Sequence, residues 1–127
     1  MIITIVISIY PMSLSPVWNG KIPGHRDQYE RMAQSILHGH LYLEYEDVDP
    51  RLSEMENPYD PQARKELGIY YHWDHAFYNG KYYMYFGIVP VVLLFLPYQL
   101  LTGNALITYK ATQIFTVGTI FAIFVII

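Results

Sequence analysis

The run from Phe86 to Ile127, FGIVPVVLLFLPYQLLTGNALITYKATQIFTVGTIFAIFVII, carries one formal charge, Lys110. A soluble domain scatters charge along its elements because each needs a wet face. This stretch offers a helix almost nothing to put in water. Upstream the pattern inverts: all eleven Asp and Glu residues of the 127-residue chain lie between Asp27 and Asp74. The average hides this segregation, since the hydrophobic fraction of 53% is only slightly above that of soluble proteins. The segregation predicts a mainly α integral membrane protein. It would have about three transmembrane helices and a large extracytoplasmic loop that carries an amphipathic helix.

Residues 1–16 read as the first transmembrane helix. The opening MIITIVISIYPMSLS is apolar, but it is shorter than the roughly 20 residues a span needs, as if its cytoplasmic start were missing. It lacks the basic leader and small-residue cleavage site of a signal peptide. Residues 17–85 form the polar loop. Residues 86–102 read as a second transmembrane helix, with Pro90 and Pro97 tolerated where neighbours satisfy the freed carbonyls. Thr102-Gly103-Asn104 is a turn, and residues 105–127 read as a third span, with Lys110 placed to snorkel to the interface. That run stops without a polar anchor, which predicts truncation of a longer polytopic protein. The loop is too long for flanking charge to set its side of the membrane.

Within the loop, Tyr29, Met32, Ala33, Ile36 and Leu37 recur at helical spacing. They predict an amphipathic helix over 27–38, with Asp27 as N-cap or first-turn acid and Gly39 as the stop. Asp49-Pro50 and Asn57-Pro58 are breakers, and a short helix is expected from Gln62 to Leu67, stopped by Gly68. Asn79-Gly80 is the strongest turn signal in the chain and suggests a small hairpin between YYHWDHAFY and KYYMYF. The 13 tyrosines suit an interface, with an apolar ring and a wet hydroxyl.

Several function classes fall away. A net charge of −3 with no basic stripe gives no reason to expect a nucleic-acid partner. Absence of cysteine excludes disulfides and thiol catalysis. Phosphate-loop, nucleophile-elbow and dinucleotide patterns are not present.

Three motifs could carry chemistry. Asp27, in Gly24-His25-Arg26-Asp27-Gln28-Tyr29, could act as a general base at the membrane–water boundary, where partial desolvation raises a carboxyl pKa; a helix cap is the commoner use of such a residue. Lys81, in Asn79-Gly80-Lys81-Tyr82-Tyr83, could meet a lipid phosphate as a point charge or serve only as an interfacial anchor. His38-Gly39-His40 and His72-Trp73-Asp74-His75, near five acids from Glu44 to Glu54, could assemble a metal site. No zincin or EF-hand spacing is present and spacing alone closes no ligand set. Surface or structural histidines are therefore expected, with no metal and no cofactor.

An apolar first helix, then Asp27 in an outer-loop helix, then Gly39-His40-Leu41-Tyr42-Leu43 resembles the GT-C class of polytopic glycosyltransferases. That class includes the protein O-mannosyltransferases and the aminoarabinose transferases. The stretch YNGKYYMYFGIVPVVLLFLPYQLLTG, Tyr78 to Gly103, is similar to their next segment, a Gly-Lys or Lys-Pro-Pro element before a Pro-containing helix. Gln28 stands where the family often has a second acid, and Tyr82-Tyr83 where it has Pro-Pro. The resemblance covers nearly the whole chain but only the N-terminal part of such enzymes.

It implies transfer of a sugar from a polyprenyl-phosphate donor to an acceptor hydroxyl, with Asp27 catalytic and Lys81 and Arg26 binding the donor phosphate. It also implies membrane lipid and other membrane helices as partners, and a multi-pass cell-membrane location with the loop on the extracytoplasmic side. Three helices can hardly enclose both donor and acceptor, so the isolated chain is expected to be inactive. Two readings compete: a small non-catalytic membrane interaction protein, and a fragment of a transporter with Lys110 and the proline-broken helix lining a path.

Overall fold

The computed structural model describes residues 2–14 and 28–126. Two apolar helices pack side by side, α1 (Ile2–Leu14) and α5 (Thr108–Ile126). Between them in sequence lies a polar unit of α2 (Gln28–Leu37), α3 (Pro61–Glu66) and strands β1 (Tyr42–Leu43), β2 (His75–Tyr78) and β3 (Lys81–Met84). A π-helical turn, Val91–Phe95, then leads into α4 (Leu96–Thr102).

α5 is long and apolar enough to cross a membrane. At about 1.5 Å per residue it reaches roughly 28 Å, close to the hydrocarbon thickness of a bilayer. Three of its four threonine hydroxyls do not oppose burial in lipid. Thr112, Thr116 and Thr119 each donate to the carbonyl four residues back, at 2.8–2.9 Å. Phe121, Phe124 and Ile126 stand exposed along its second half, as do Ile2, Ile3 and Ile7 on α1. Lys110 lies exposed in the first turn, where its stem can reach back to water.

The expected second span does not form as one. Pro97 has no N–H to donate, and the ladder widens ahead of it: the Leu96 N–H bonds the Val91 carbonyl, five residues back. The resulting helix, Val91–Thr102, extends roughly 18 Å against the roughly 30 Å of a hydrocarbon core. It also spends apolar surface inward. Val91 and Phe95 are buried, and Phe95 stacks on Tyr29 of α2 at 5.5 Å. Among the described residues α5 alone meets the length and composition of a span. α1, with 13 residues, is shorter, as its sequence suggested.

The second departure is a three-stranded antiparallel sheet, ordered β1-β3-β2. Its hairpin is the one Asn79-Gly80 signals. Both residues have positive φ, 48° and 72°, as the mirror-image turn between twisted strands requires. Leu43, Tyr82 and Phe77 face one another across the three strands, and all are buried. Such a cross-strand row is the unit of sheet stabilisation, and each fully buried side chain of this size contributes roughly 1.5–3 kcal/mol. Tyr42 and Tyr83 pair on the opposite, wetter face. Met32 and Ala33 of α2 close the core over the sheet, together with Leu52, Ile69 and Leu106.

Helix ends follow the sequence closely. α2 ends at Gly39 (φ +86°), where Gly39 N–H bonds the Ile36 carbonyl and His40 N–H bonds the Ser35 carbonyl, both at 3.0 Å. This pair of bonds is a Schellman turn, and it reverses the chain toward β1. α3 starts on Asp60, whose carboxylate accepts from the Gln62 and Ala63 N–H groups.

Candidate functional site

Asp27 and Arg26 lie outside the described residues; their sequence neighbour Gln28 does not. The Gln28 side chain donates to the Asp74 carbonyl at 2.9 Å and accepts from the Tyr85 N–H at 3.3 Å. Asp74 precedes β2 and Tyr85 follows β3, so Gln28 ties the open end of the hairpin to the start of α2. Two residues on, in the same turn, the buried Glu30 carboxyl accepts from the Thr108 N–H at 2.9 Å. Thr108 is the first residue of α5, so an acceptor oxygen meets a donor that the helix itself leaves unsatisfied. The first turn of α2 is thus fixed to the mouth of the membrane-length helix. Trp73, Tyr85 and Phe86 stand exposed around the open end of the hairpin, where an aromatic belt would meet headgroups.

Lys81 lies at the other end of the hairpin, paired with Tyr78 beside the turn. The length of β3 separates it from Tyr85, roughly 13 Å at strand rise. Strand alternation puts Lys81 on the outer face with Tyr83. Its ammonium sits 3.7 Å from the centre of the Tyr42 ring, a diagonal cation–π contact across the sheet. Lys81 and Gln28 are not brought together.

Behind the outer face the aromatic residues form one connected box. Tyr82, 1% exposed, is ringed by Tyr45, Tyr71, His72, His75 and Phe77 at centroid distances of 4.9–5.7 Å. Tyr45 faces His75 Nε2 at 2.7 Å and stacks on His72 at 3.9 Å. The Arg31 guanidinium covers the Tyr45 ring at 4.2 Å, and Asp47 faces His72 Nε2 at 3.2 Å. Burial pushes the Tyr71 hydroxyl up to about 12 and raises that of Tyr82, because a phenolate would be desolvated there. Tyr71 keeps its proton in a 2.6 Å bond to the His75 carbonyl. The two tyrosine hydroxyls therefore stay protonated inside a packed aromatic core, and His72 and His75 pack within it.

The other histidine pair is arranged differently. The Gly39 turn and the start of β1 bring His38 Nδ1 and His40 Nε2 each to 2.9 Å from the same Glu44 oxygen. These hydrogen bonds hold the Glu44 carboxyl below the usual carboxylate range. His40 stacks on Tyr42 at 3.9 Å, nearly parallel, so Tyr42 is held between the imidazole and the Lys81 ammonium. The ligating atoms of His38, His40 and Glu44 lie within 4.8 Å of one another. The sequence reading saw the residues but not their convergence. Its usable signal was His-Gly-His, because a left-handed glycine between two histidines folds them onto one side.

A shallow groove of about 520 Å³ also opens between the turn at Pro50–Ser53 and the hairpin tip. Glu56 is the one carboxylate in its lining. No family model, no curated protein and no solved structure matches the chain.

Proposed function

We propose that the chain is the donor-side N-terminal portion of a membrane glycosyltransferase that moves a sugar from a polyprenyl phosphate to an acceptor hydroxyl. The observation that supports this best is the anchoring of the first turn of α2. Gln28 holds that turn to both strands at the open end of the hairpin and Glu30 holds it to the Thr108 N–H. The segment next to Asp27 is therefore tied to the point where an apolar helix begins. A lipid-linked donor and a wet acceptor could meet at such a place. The polar unit then lies outside the cell, and α5 crosses the membrane as one of several spans.

In this reading the Asp27 carboxylate takes the proton from the acceptor hydroxyl as its oxygen attacks the anomeric carbon. The bond from that carbon to the phosphate oxygen breaks, and the electron pair leaves with the polyprenyl phosphate. Arg26 and Lys81 offset the charge gathering there. For Lys81 this requires the ammonium to leave the Tyr42 ring, since it rests a strand-length from Gln28.

The test is transfer of labelled sugar from polyprenyl phosphate in membranes from cells that make the natural gene product. Lys81→Ala is expected to raise the donor KM roughly 10–100-fold, the worth of one charged hydrogen bond, while Lys81→Arg keeps most donor use. Equal effects of the two substitutions would reduce Lys81 to an anchor, and no transfer by the wild type would overturn the reading.

A further inference from the structure

We propose that His38, His40 and Glu44 form a binding site for a divalent transition-metal ion of the zinc class, on the outer face of the polar unit. Both ring nitrogens of His40 face oxygen. Nδ1 lies 3.0 Å from the Tyr42 carbonyl and Nε2 lies 2.9 Å from Glu44 Oε1. A carbonyl can only accept, so Nδ1 carries a proton. An ionised carboxylate can also only accept, so Nε2 and Glu44 must share a cation between them. That cation is either a second ring proton or a metal ion. An imidazole whose Nδ1–H is fixed to a backbone carbonyl has its tautomer set so that Nε2 is the nitrogen that can ligate a metal.

The third group favours the metal. His38 Nδ1 reaches the same Glu44 oxygen at 2.9 Å, so two imidazole nitrogens and one carboxylate oxygen lie within 4.8 Å of one another. In a tetrahedral zinc site with bonds of about 2.0–2.2 Å, neighbouring ligand atoms stand roughly 3.3–3.5 Å apart. Each nitrogen–oxygen pair would open by about half an ångström to reach that spacing, and the two nitrogens, within 4.8 Å of each other, would settle to the same spacing. Two imidazoles and a carboxylate are the ligand types zinc takes, and three protein ligands leave a position for water or an anionic oxygen.

The site is held from behind and open in front. The Glu44 carbonyl accepts from Arg31 at 2.8 Å, Leu43 is buried, and the Tyr42 ring backs His40. The side chains of His38 and Glu44 are half-exposed, at 50% and 45%, which gives an ion a path in. In the second histidine pair His72 Nε2 faces one carboxylate, Asp47, and His75 faces none. His75 Nδ1 faces the Trp73 carbonyl, and its Nε2 faces the Tyr45 hydroxyl.

Zinc titration of the purified full chain, made without a polyhistidine tag and read by competition with a chromogenic chelator, tests the site. The wild type is expected to take up one zinc per chain. His40→Ala and Glu44→Gln are each expected to weaken that binding by roughly 10–100-fold or more. His38→Ala, at an exposed position that leaves the core intact, is expected to do the same, with circular dichroism reporting the fold of each variant. His72→Ala is expected to leave zinc affinity unchanged if the unit stays folded. No stoichiometric zinc on the wild type would mean that His40 and Glu44 are only an ion pair, and would overturn the proposal. Zinc retained at full affinity by the folded His38→Ala variant would overturn it as well.

Discussion

Asp27→Asn is expected to lower sugar transfer by roughly 10²–10⁴-fold, the usual worth of a positioned general base. The amount of protein in the membrane should be unchanged. The substitution separates the two uses of this residue. Asn caps a helix about as well as Asp, so an Asp27 that serves only as a cap would lose little on becoming Asn. The amide cannot accept the acceptor proton, so a base would lose nearly everything. Asp27→Ala is the companion variant, because it removes both roles and adds a capping loss of roughly 0.5–2 kcal/mol. The expected ranking in transfer is wild type far above both variants, and in stability wild type near Asn and above Ala. Transfer close to wild type in Asp27→Asn would end the catalytic assignment.

Tyr82→Ala is expected to cost roughly 3–5 kcal/mol, as other large aromatic truncations in cores do. That is a large part of the roughly 5–15 kcal/mol that holds a typical domain together. Tyr82 lies in the middle strand of the sheet, and five aromatic rings pack round it. Those rings come from β2, from the 70–72 segment and from the chain after β1, so removing one side chain loosens three separate stretches. The polar unit should become open to protease and exchange its amide hydrogens far faster. Tyr82→Phe isolates the hydroxyl, which only accepts a long bond of 3.4 Å from the His72 N–H. It should cost no more than about 1 kcal/mol. A small effect of Tyr82→Ala would mean that the aromatic box is not the core of the unit.

Much of this architecture was legible in the order of residues because the deciding features are local. Charge segregation marked α5 as an apolar helix, the 29–37 periodicity marked α2, and Asn79-Gly80 marked the hairpin. Gly39, Asp60 and Gly68 ended or began their helices where turn chemistry puts them. The rest depends on contacts between distant parts of the chain. The 86–102 run reads as a span from its hydrophobicity, but Val91 and Phe95 turn inward, Phe95 onto Tyr29 of α2, and the helix Val91–Thr102 is short for a span. β1 is two residues long and exists only because β3 offers an edge, so no local pattern announces it. Glu44 lies only six and four residues from His38 and His40, but the direction in which the three side chains turn depends on the Gly39 reversal, so spacing alone did not close that ligand set. The separation of Lys81 from Gln28 was hidden as well, since it depends on which end of the hairpin α2 meets.

In the proposed reading α5 lies in the bilayer with the polar unit outside it. The chain contains no cysteine, so single cysteines can report on it without a background. Ser53→Cys places a thiol on the exposed surface of the polar unit. Gly118→Cys places one roughly 15 Å along α5 by helical rise, at a site where an added Cβ meets no neighbour within 4 Å. Intact cells are treated with a membrane-impermeant maleimide before and after detergent. The predicted result is that Ser53→Cys labels at once in intact cells, while Gly118→Cys labels only after the membrane is dissolved. Rapid labelling of Gly118→Cys in intact membranes, or protection of Ser53→Cys until the cells are broken, would contradict it.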